Sequence, residues 1–565
     1  MSISWPARRP TWFWRWKPRT ARSAGPGGQA FRRRSHSRPE ANADRSRRRT
    51  AWLCLAAPHQ VARQPGRNRG SETVSDLFST VVTNQDLHAR TLARFRQAGI
   101  RLPKLSELAA PRLIDSAILA ALEKVDPDAP DPLNLYRVHW YNGPDRRRQA
   151  AVPGHIVLPS ALTGVAAKII VALGDRFPII AAHKVLAAYG CLVPRLVTGQ
   201  FDLDRQRAVW PSTGNYCRGG VAISRILQCR SVAVLPEGMS RERFSWLEKW
   251  TTDPADIVRT PGSESNLKEI YDACHLLAQD PQNVILNQFS EFGNYIVHRA
   301  VTGPALEAVF RAVKGDSRLK ARAFVCASGS GGTLAAGDHL KASLGLDIAA
   351  VEATECPTLL RNGYGEHNIQ GIGDKHVPLI HNVFNTDYVI GISERTPDSL
   401  LVLFNSEAGR TYLRERKGLP ADLIDQLAHL GLSAIANIAA AIKLARYQGL
   451  GGDDAVLTVA TDGAAMYGSQ LGETIDTAFA GRFDALAAAE VFGQHLLGIA
   501  PDALIELTRP ERERIFNLGY YTWVEQQGVS LEDFDRRRHQ AFWDGLMEMV
   551  PVWDRLIEEF GTVRA

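Results

Sequence analysis

The stretch ASGSGGTLAAG, Ala327 to Gly337, follows the apolar run ARAFVC. Small residues where a strand hands over to a helix let backbone N–H groups converge on an anion, and the helix that follows adds a favourable dipole. The chemistry this predicts is a phosphate cradle, with a tight turn holding no ligand as the plain alternative. A second glycine-containing turn, PSTGNYCRGGVAI, runs from Pro211 to Ile223 before an expected helix. Further along come PEGMSRERFSWLEKW from Pro236, NQFSEFGNYIVHRAVTGPAL from Asn287, HNIQGIGDKHVP from His367, GLSAIANIAAAIKLA from Gly431 and TVATDGAAMY from Thr458.

Elements must hold these stretches in place. From about 155 to 470, short apolar runs such as SVAVLP, NVILNQF, IAAVEAT and AVLTVAT alternate with amphipathic stretches such as GSESNLKEIYDACHLLAQ. Strands alternating with helices predict an α/β fold with largely parallel sheets. Residues 74–150 read as a helical N-terminal extension closing in the charged loop NGPDRRRQ, and beyond about 475 the pattern is helical only. At 565 residues the chain exceeds one ordinary core. The most apolar stretch, HIVLPSALTGVAAKIIVALG, is interrupted by Pro159, Gly164 and Lys168. It reads as a buried α/β element rather than a membrane span.

Charge is unevenly placed. The first 70 residues carry 17 Lys and Arg against two acids, an excess of +15, so the rest of the chain is net −8 beneath the overall +7. An acidic body argues against nucleic-acid binding. Residues 1–73 show no helical or strand period and read as a disordered basic segment. A basic arm, an organelle transit peptide and a start assigned upstream of the functional one all fit it, the last most plainly. Seven scattered cysteines without a CxxC pair predict a reducing compartment, with neither a disulfide framework nor a metal site.

In their order, the motifs from Pro211 to Thr458 resemble the pyridoxal-phosphate enzymes of the tryptophan-synthase-β fold (fold type II), in particular the cysteine synthase and cystathionine β-synthase family. That family carries a TSGNT loop, a PETMS-x-ER segment, a GTGGT loop, H-x-IQGIG and GISSGAA. The resemblance covers about 155 to 470, over half the chain. It implies two interwoven three-layer α/β/α domains within residues 151–475. The smaller, about 200–300, is inserted in the larger, and residues 476–565 form an added helical segment. Those last helices could cap the active site, form a dimer interface or bind a partner, and plain packing on the core is the favoured reading.

The same resemblance assigns residues. Gly329, Ser330, Gly331, Gly332 and Thr333 match the loop that holds the cofactor's 5′-phosphate. Gly331 and Gly332 allow close backbone approach, and Ser330 replaces the usual Thr with another hydroxyl donor. Pyridoxal phosphate needs a lysine. Between Lys124 and Lys249 stand only Lys168 and Lys184. Family members place the lysine about thirty residues before the Asn of the TSGNT loop, and Lys184 precedes Asn215 by 31 whereas Lys168 precedes it by 47. FPIIAAHK then stands for the family's NP-x-GS-x-K, without its Ser and without the DR that follows. Ser212, Thr213, Gly214 and Gln288 match residues that grip the substrate α-carboxylate, and Asn215 the partner of the cofactor's phenolic oxygen. Tyr216 replaces a Thr and is expected to narrow or re-polarise the pocket. Gly371 and Gly373 would line the cofactor face, and His298, Thr302, Gly303 and Pro304 read as structural. His367 and His376 read equally as polar rim residues or exposed loop residues. Ser433 matches the hydroxyl at the pyridine nitrogen. Asp462 could approach the ring instead, although closing a turn is the favoured reading.

The resemblance implies a transferase or lyase acting on the β-carbon of an L-amino acid such as serine or O-acetylserine. Lys184 removes the α-proton, the β-substituent leaves an aminoacrylate, and a thiol or water completes replacement or elimination. A dehydratase, racemase or desulfhydrase on the same fold, or a catalytically silent homologue, are the alternatives. Also implied are a role in cysteine biosynthesis, a homodimer, a cytoplasmic location and no nucleic-acid or membrane partner.

Overall fold

A computed structural model describes residues 81–373 and 375–561. The segment 1–73, expected to be disordered, lies outside the described residues. Among the described residues eleven strands form two sheets. The first is built from β1 (His155–Leu158), β2 (Lys168–Leu173), β7 (Lys320–Ala327), β8 (Asp347–Ala353), β9 (Tyr388–Ile392), β10 (Asp454–Ala460) and β11 (Leu504–Glu506), in the order β1-β2-β10-β7-β8-β9-β11. Its central strands are parallel, and β1 and β11 close the two edges antiparallel. The second sheet, β5-β4-β3-β6, is parallel throughout and comes from β3 (Arg207–Pro211), β4 (Arg230–Pro236), β5 (Ile257–Thr260) and β6 (Asn283–Ile285).

The strand sequences explain this placement. Parallel strands are covered by helices on both faces, so they read as continuous apolar runs rather than alternating ones. Ile169–Leu173 of β2 and Ala455–Ala460 of β10 are buried at every position. The helix Leu432–Tyr447 is buried from Leu432 through Ala445, as expected of a helix apolar all round and packed inside the fold. The apolar stretch HIVLPSALTGVAAKIIVALG forms β1, a one-turn helix and β2. Among the described residues no single helix is long and apolar enough to cross a membrane.

The C-terminal region differs from its helical-only expectation in one respect. Leu504–Glu506 forms β11 and pairs with β9, Leu504 opposite Ile390 and Glu506 opposite Tyr388. Three residues carry no readable period, and the exposed edge of β9 decides the pairing. The helices beyond it pack on the core. Trp523 donates to the Val377 carbonyl at 2.7 Å, Arg537 to the Leu379 carbonyl at 2.7 Å, and Arg512 pairs with Asp387 at 3.1 Å. The last helix, Met549–Gly561, lies against Gln85–Ala98 and Lys184–Val197. The Asp554 carboxylate of that helix accepts the N–H groups of Leu105 and Ser106, capping a helix start more than four hundred residues away.

Candidate active site

In open α/β sheets, ligands bind beyond the carboxyl ends of the strands. The residues singled out in the sequence lie there. The loop Ser212–Gly214 follows β3, Gln288 follows β6, the loop Gly329–Thr333 follows β7, and Thr461 and Asp462 follow β10. Lys184 is the first residue of the helix Lys184–Val197, reached from β2 through a short loop. Lys168 opens β2, at the strand's other end, roughly 17 Å away at the usual rise per residue.

Lys184, Ser212, Thr213, Asn215, Gln288, Gly329 and Ser330 line one cavity. Within it, Lys184 Nζ donates to Gln288 Oε1 at 3.1 Å and to Ser330 Oγ at 3.3 Å. Gln288 Nε2 donates to Ser212 Oγ at 3.2 Å, and the Gly214 N–H donates to the same oxygen at 3.1 Å. A continuous polar chain therefore joins the lysine to the Ser212–Asn215 loop and to the glycine-rich loop. The segment leading to Lys184 is strained. Ile179 (φ 70°) and Ala181 (φ 48°) occupy the left-handed region, which a β-branched residue rarely enters. Such strain persists where surrounding packing fixes the backbone.

The Gly329–Thr333 loop fits a phosphate. Among the described residues, the N–H groups of Gly329, Ser330, Gly331 and Thr333 have no intramolecular acceptor. The loop is almost wholly buried, where unpaired donors are costly unless a ligand accepts from them. Gly331 sits at φ +80°. A Cβ on Gly332 would collide with the Asn294 side chain, and one on Gly329 would lie 2.8 Å from the Gly371 carbonyl. The loop is braced from behind, since His183 Nε2 meets Thr333 Oγ1 at 2.9 Å. Burial, and then the adjacent Lys184 charge, pushes His183 down to about 3, so it is a neutral imidazole. His298 packs on it, ring centroids 5.1 Å apart, and holds Thr302 Oγ1 at 2.9 Å. Both are buried parts of this scaffold.

The remaining expected residues fall as follows. Ser433 does not line the cavity; its hydroxyl donates to Thr461 Oγ1 at 3.3 Å, and Thr461 does line it. Tyr216 lines the cavity, its hydroxyl donating to the Leu286 carbonyl at 3.1 Å and its ring abutting Trp210. His367 and His376 are not exposed. His367 accepts the Ile369 N–H and meets the Gly373 carbonyl at 2.9 Å within its own loop. His376 is buried among Tyr271, Phe289 and Trp523. Asp462 forms an isolated bridge with Ala182 after β10, and its carbonyl accepts the N–H of Gly431, 31 residues earlier, but its carboxylate does more. It is fully buried, accepts Asn215 Nδ2 at 2.6 Å and the Tyr467 hydroxyl at 2.9 Å, and so orients Asn215. Burial raises its pKa, against the pull of Arg243 and the Asn215 bond.

Three residues of the site went unread. Asn294 donates to Ser330 Oγ at 3.1 Å and to the Gln288 carbonyl at 3.0 Å. Arg243 lies buried beside Asp462, donating to the Tyr467 hydroxyl at 3.3 Å. Glu264 lines the cavity; one carboxylate oxygen accepts the Thr213 hydroxyl and the Gly371 N–H, the latter at 2.7 Å. Burial pushes it up to about 7, with Arg243 pulling the other way. GSES reads as the start of a helix, but the helix begins only at Leu267. Gly262 at φ +104° and the Asn266 side chain, which accepts the Ser263 N–H, turn the chain first and leave Glu264 over the cavity.

Comparison with known proteins agrees with this geometry. The family described as pyridoxal-phosphate dependent enzyme matches residues 167–462, more than half of the chain. Cysteine synthase B of Campylobacter jejuni is 30% identical over 256 residues, covering 44% of this chain and 75% of that protein. Cystathionine beta-synthase of Saccharomyces cerevisiae is 28% identical over 193 residues, 32% of this chain and 37% of that protein. Among solved structures, a hydrogen sulfide-producing enzyme from Fusobacterium nucleatum superimposes with a TM-score of 0.46 at 20% identity, covering 56% of this chain and 96% of that one. With a lysine at a helix start beside a buried loop of unpaired N–H groups and a match of this extent, the chain belongs to the pyridoxal-phosphate dependent enzymes of fold type II, in the family of the cysteine synthases.

Proposed function

We propose that this enzyme carries out β-replacement or β-elimination on an L-amino acid. The observation that carries the reading is the polar chain Lys184–Gln288–Ser212, which joins a lysine to a loop of backbone and hydroxyl donors in one cavity. The likeness to cysteine synthase B supports it. Gly329–Thr333 would hold the cofactor phosphate through unpaired N–H groups, Lys184 would hold its aldehyde carbon, and Asn215, fixed by Asp462, would face its phenolic oxygen. Bound there, pyridoxal phosphate supplies an electron sink that acidifies the α-proton of an attached amino acid.

Ser212, Thr213 and Gln288 orient the substrate by its α-carboxylate. Lys184, at the head of its helix, takes the α-proton, and the β-substituent leaves with its bonding pair. In replacement a thiol adds at the β-carbon and Lys184 returns the proton to Cα. In elimination hydrolysis releases ammonia and a 2-keto acid. Ser433 stands behind the cavity wall and bonds Thr461, which lines it, so a neutral hydroxyl rather than a carboxylate would meet the cofactor there, which would favour elimination chemistry over transamination. The reading extends to a homodimer and to a reducing, cytoplasmic setting. The six cysteines among the described residues, free and buried, fit such a setting.

The test is to incubate the cofactor-loaded enzyme with serine, O-acetylserine and cysteine, with and without sulfide, and to identify the products. Cysteine from O-acetylserine and sulfide, or keto acid from any of the three, is expected. A colourless protein, or one that only racemises or transaminates alanine, overturns the reading.

A further inference from the structure

Among the described residues the cavity wall carries two formally charged side chains, Lys184 and Glu264. Glu264 grips Thr213, a hydroxyl of the very loop that would receive the substrate's carboxylate. It is also tied to the Gly371 N–H, while its second oxygen is buried and has no hydrogen-bond partner. A carboxylate of the protein thus already occupies the donor that an incoming carboxylate needs.

The charges around it are few. Arg243, from the helix Arg241–Trp250, is the cation that acts on Glu264, and it is shared with Asp462 and with Tyr467. Arg218, from the helix Asn215–Ile226, donates to Asn215 Oδ1 at 3.0 Å and to the Ile180 carbonyl at 3.2 Å, and Glu264 is not among the charges that act on it. Lys184 faces the cavity from its own helix and is engaged with Gln288 and Ser330. A second carboxylate placed on Thr213 would therefore meet Glu264 without a further cation to offset it. Two carboxylates sharing one buried donor do not both stay ionised.

We propose that Glu264 is an internal competitor of the substrate's α-carboxylate: it holds the Thr213 hydroxyl in the resting site and yields it on substrate binding by taking up one proton from solvent. This rests on the reading of Ser212–Gly214 as the carboxylate loop. Glu264's position near 7 makes that proton readily available at neutral pH and progressively less so above it. Substrate affinity accordingly falls as pH rises past about 7, by about tenfold per pH unit while the resting group is ionised and the bound one is not.

The probe is L-alanine, an amino acid with no β-leaving group. Calorimetric titration of the cofactor-loaded enzyme in buffers of different ionisation enthalpy counts the protons exchanged per ligand. The ligand's own amine contributes equally to every protein compared. At pH 8 the wild type should take up about one more proton per alanine than Glu264→Gln, or than Glu264→Ala should the first variant not fold. In the wild type alone, uptake should fall by about one proton between pH 8 and pH 6, where Glu264 is already protonated. Equal counts in wild type and variant, or a wild-type count that does not change with pH, overturn the proposal. Ser212→Ala and Gln288→Ala separate the two readings. If both bind alanine as the wild type does, the carboxylate-loop assignment falls; if both weaken it while the proton counts match, the role of Glu264 alone falls.

Discussion

Trp523 donates its indole N–H to the Val377 carbonyl at 2.7 Å, and its ring packs 5.5 Å from His376, which in turn lies 4.9 Å from Phe289 on the cavity wall. The C-terminal helices are therefore coupled to the site through three packed rings. Trp523→Ala should cost about 3–5 kcal/mol, as expected for an emptied aromatic site. Trp523→Phe keeps much of the packing but leaves a buried carbonyl without its donor, for about 1–3 kcal/mol. Denaturant unfolding measures both. Values within 0.5 kcal/mol of wild type, the usual span of a surface change, would mean that the segment is only loosely docked.

Lys184 should be the residue that carries the cofactor. Borohydride reduction of the loaded enzyme should fix the label on the peptide containing Lys184. Lys184→Ala should lose the visible absorbance of the lysine-bound form while keeping its far-UV circular dichroism. A label on Lys168, at the far end of β2, would sink the assignment.

Gly431 makes room for Asp462. A Cβ there would collide with the Asp462 carboxylate and come within 2.8 Å of the Tyr467 ring, neither of which is free to move in its buried network. Gly431→Ala should destabilise by several kcal/mol and loosen Asn215, seen as weaker retention of the cofactor on dialysis. Gly452→Ala, with nothing within 4 Å of its Cβ, is the matched control and should change stability by less than about 1 kcal/mol. Similar behaviour of the two variants would remove the argument.

Acid should destabilise the fold mainly through its histidines. Burial holds His139, His183 and His376 down to about 3 and His381 to about 4. In the unfolded chain they titrate near 6.5, so below that pH the unfolded state binds more protons and stability is lost as pH falls from 6.5 toward 4. Glu264, Glu352 and Asp398, pushed up to about 7 by burial, act the other way, since between about 4.5 and 7 the folded state is the one that binds more protons. His376→Phe should flatten the fall in melting temperature between pH 6.5 and 5, and Glu352→Gln should steepen it. Each group contributes up to about 1.4 kcal/mol per pH unit. Opposite changes in slope would show the signs to be wrong.

The parts of the site that could be read in advance are those that need small residues at a strand end. Gly329–Thr333 and Ser212–Asn215 announce themselves because only glycine and short hydroxyl side chains permit that backbone approach. Lys184 is singled out by the lysine-to-asparagine spacing of the resembling family. Glu264 gives no such signal, and Arg243 ends the matched segment PEGMSRER without showing what it holds, because their roles arise where segments near 213, 243, 371 and 462 converge, and convergence leaves no local period. Asp462 reads as a turn residue after a strand, yet it pairs with Ala182, and what its carboxylate holds depends on Asn215, 247 residues earlier. The strand β11 was missed for a related reason, its three residues being strand only by virtue of the edge they meet.

That edge strand has a consequence for how the chain is made. On a ribosome, β9 emerges more than a hundred residues before β11, and the helix Gln85–Ala98 more than four hundred before Met549–Gly561, whose Phe560 packs edge-on against His88 and Phe95. Through most of synthesis the large sheet offers an open edge and the earliest described helix lacks the apolar face it finally rests on. A nascent chain in that state is a substrate for chaperones and for strand-to-strand association between copies. A premature stop between Leu507 and the last helix would yield not a smaller enzyme but an incomplete one, in which every loop of the candidate site is present and the helix Gln85–Ala98 has nothing to close upon.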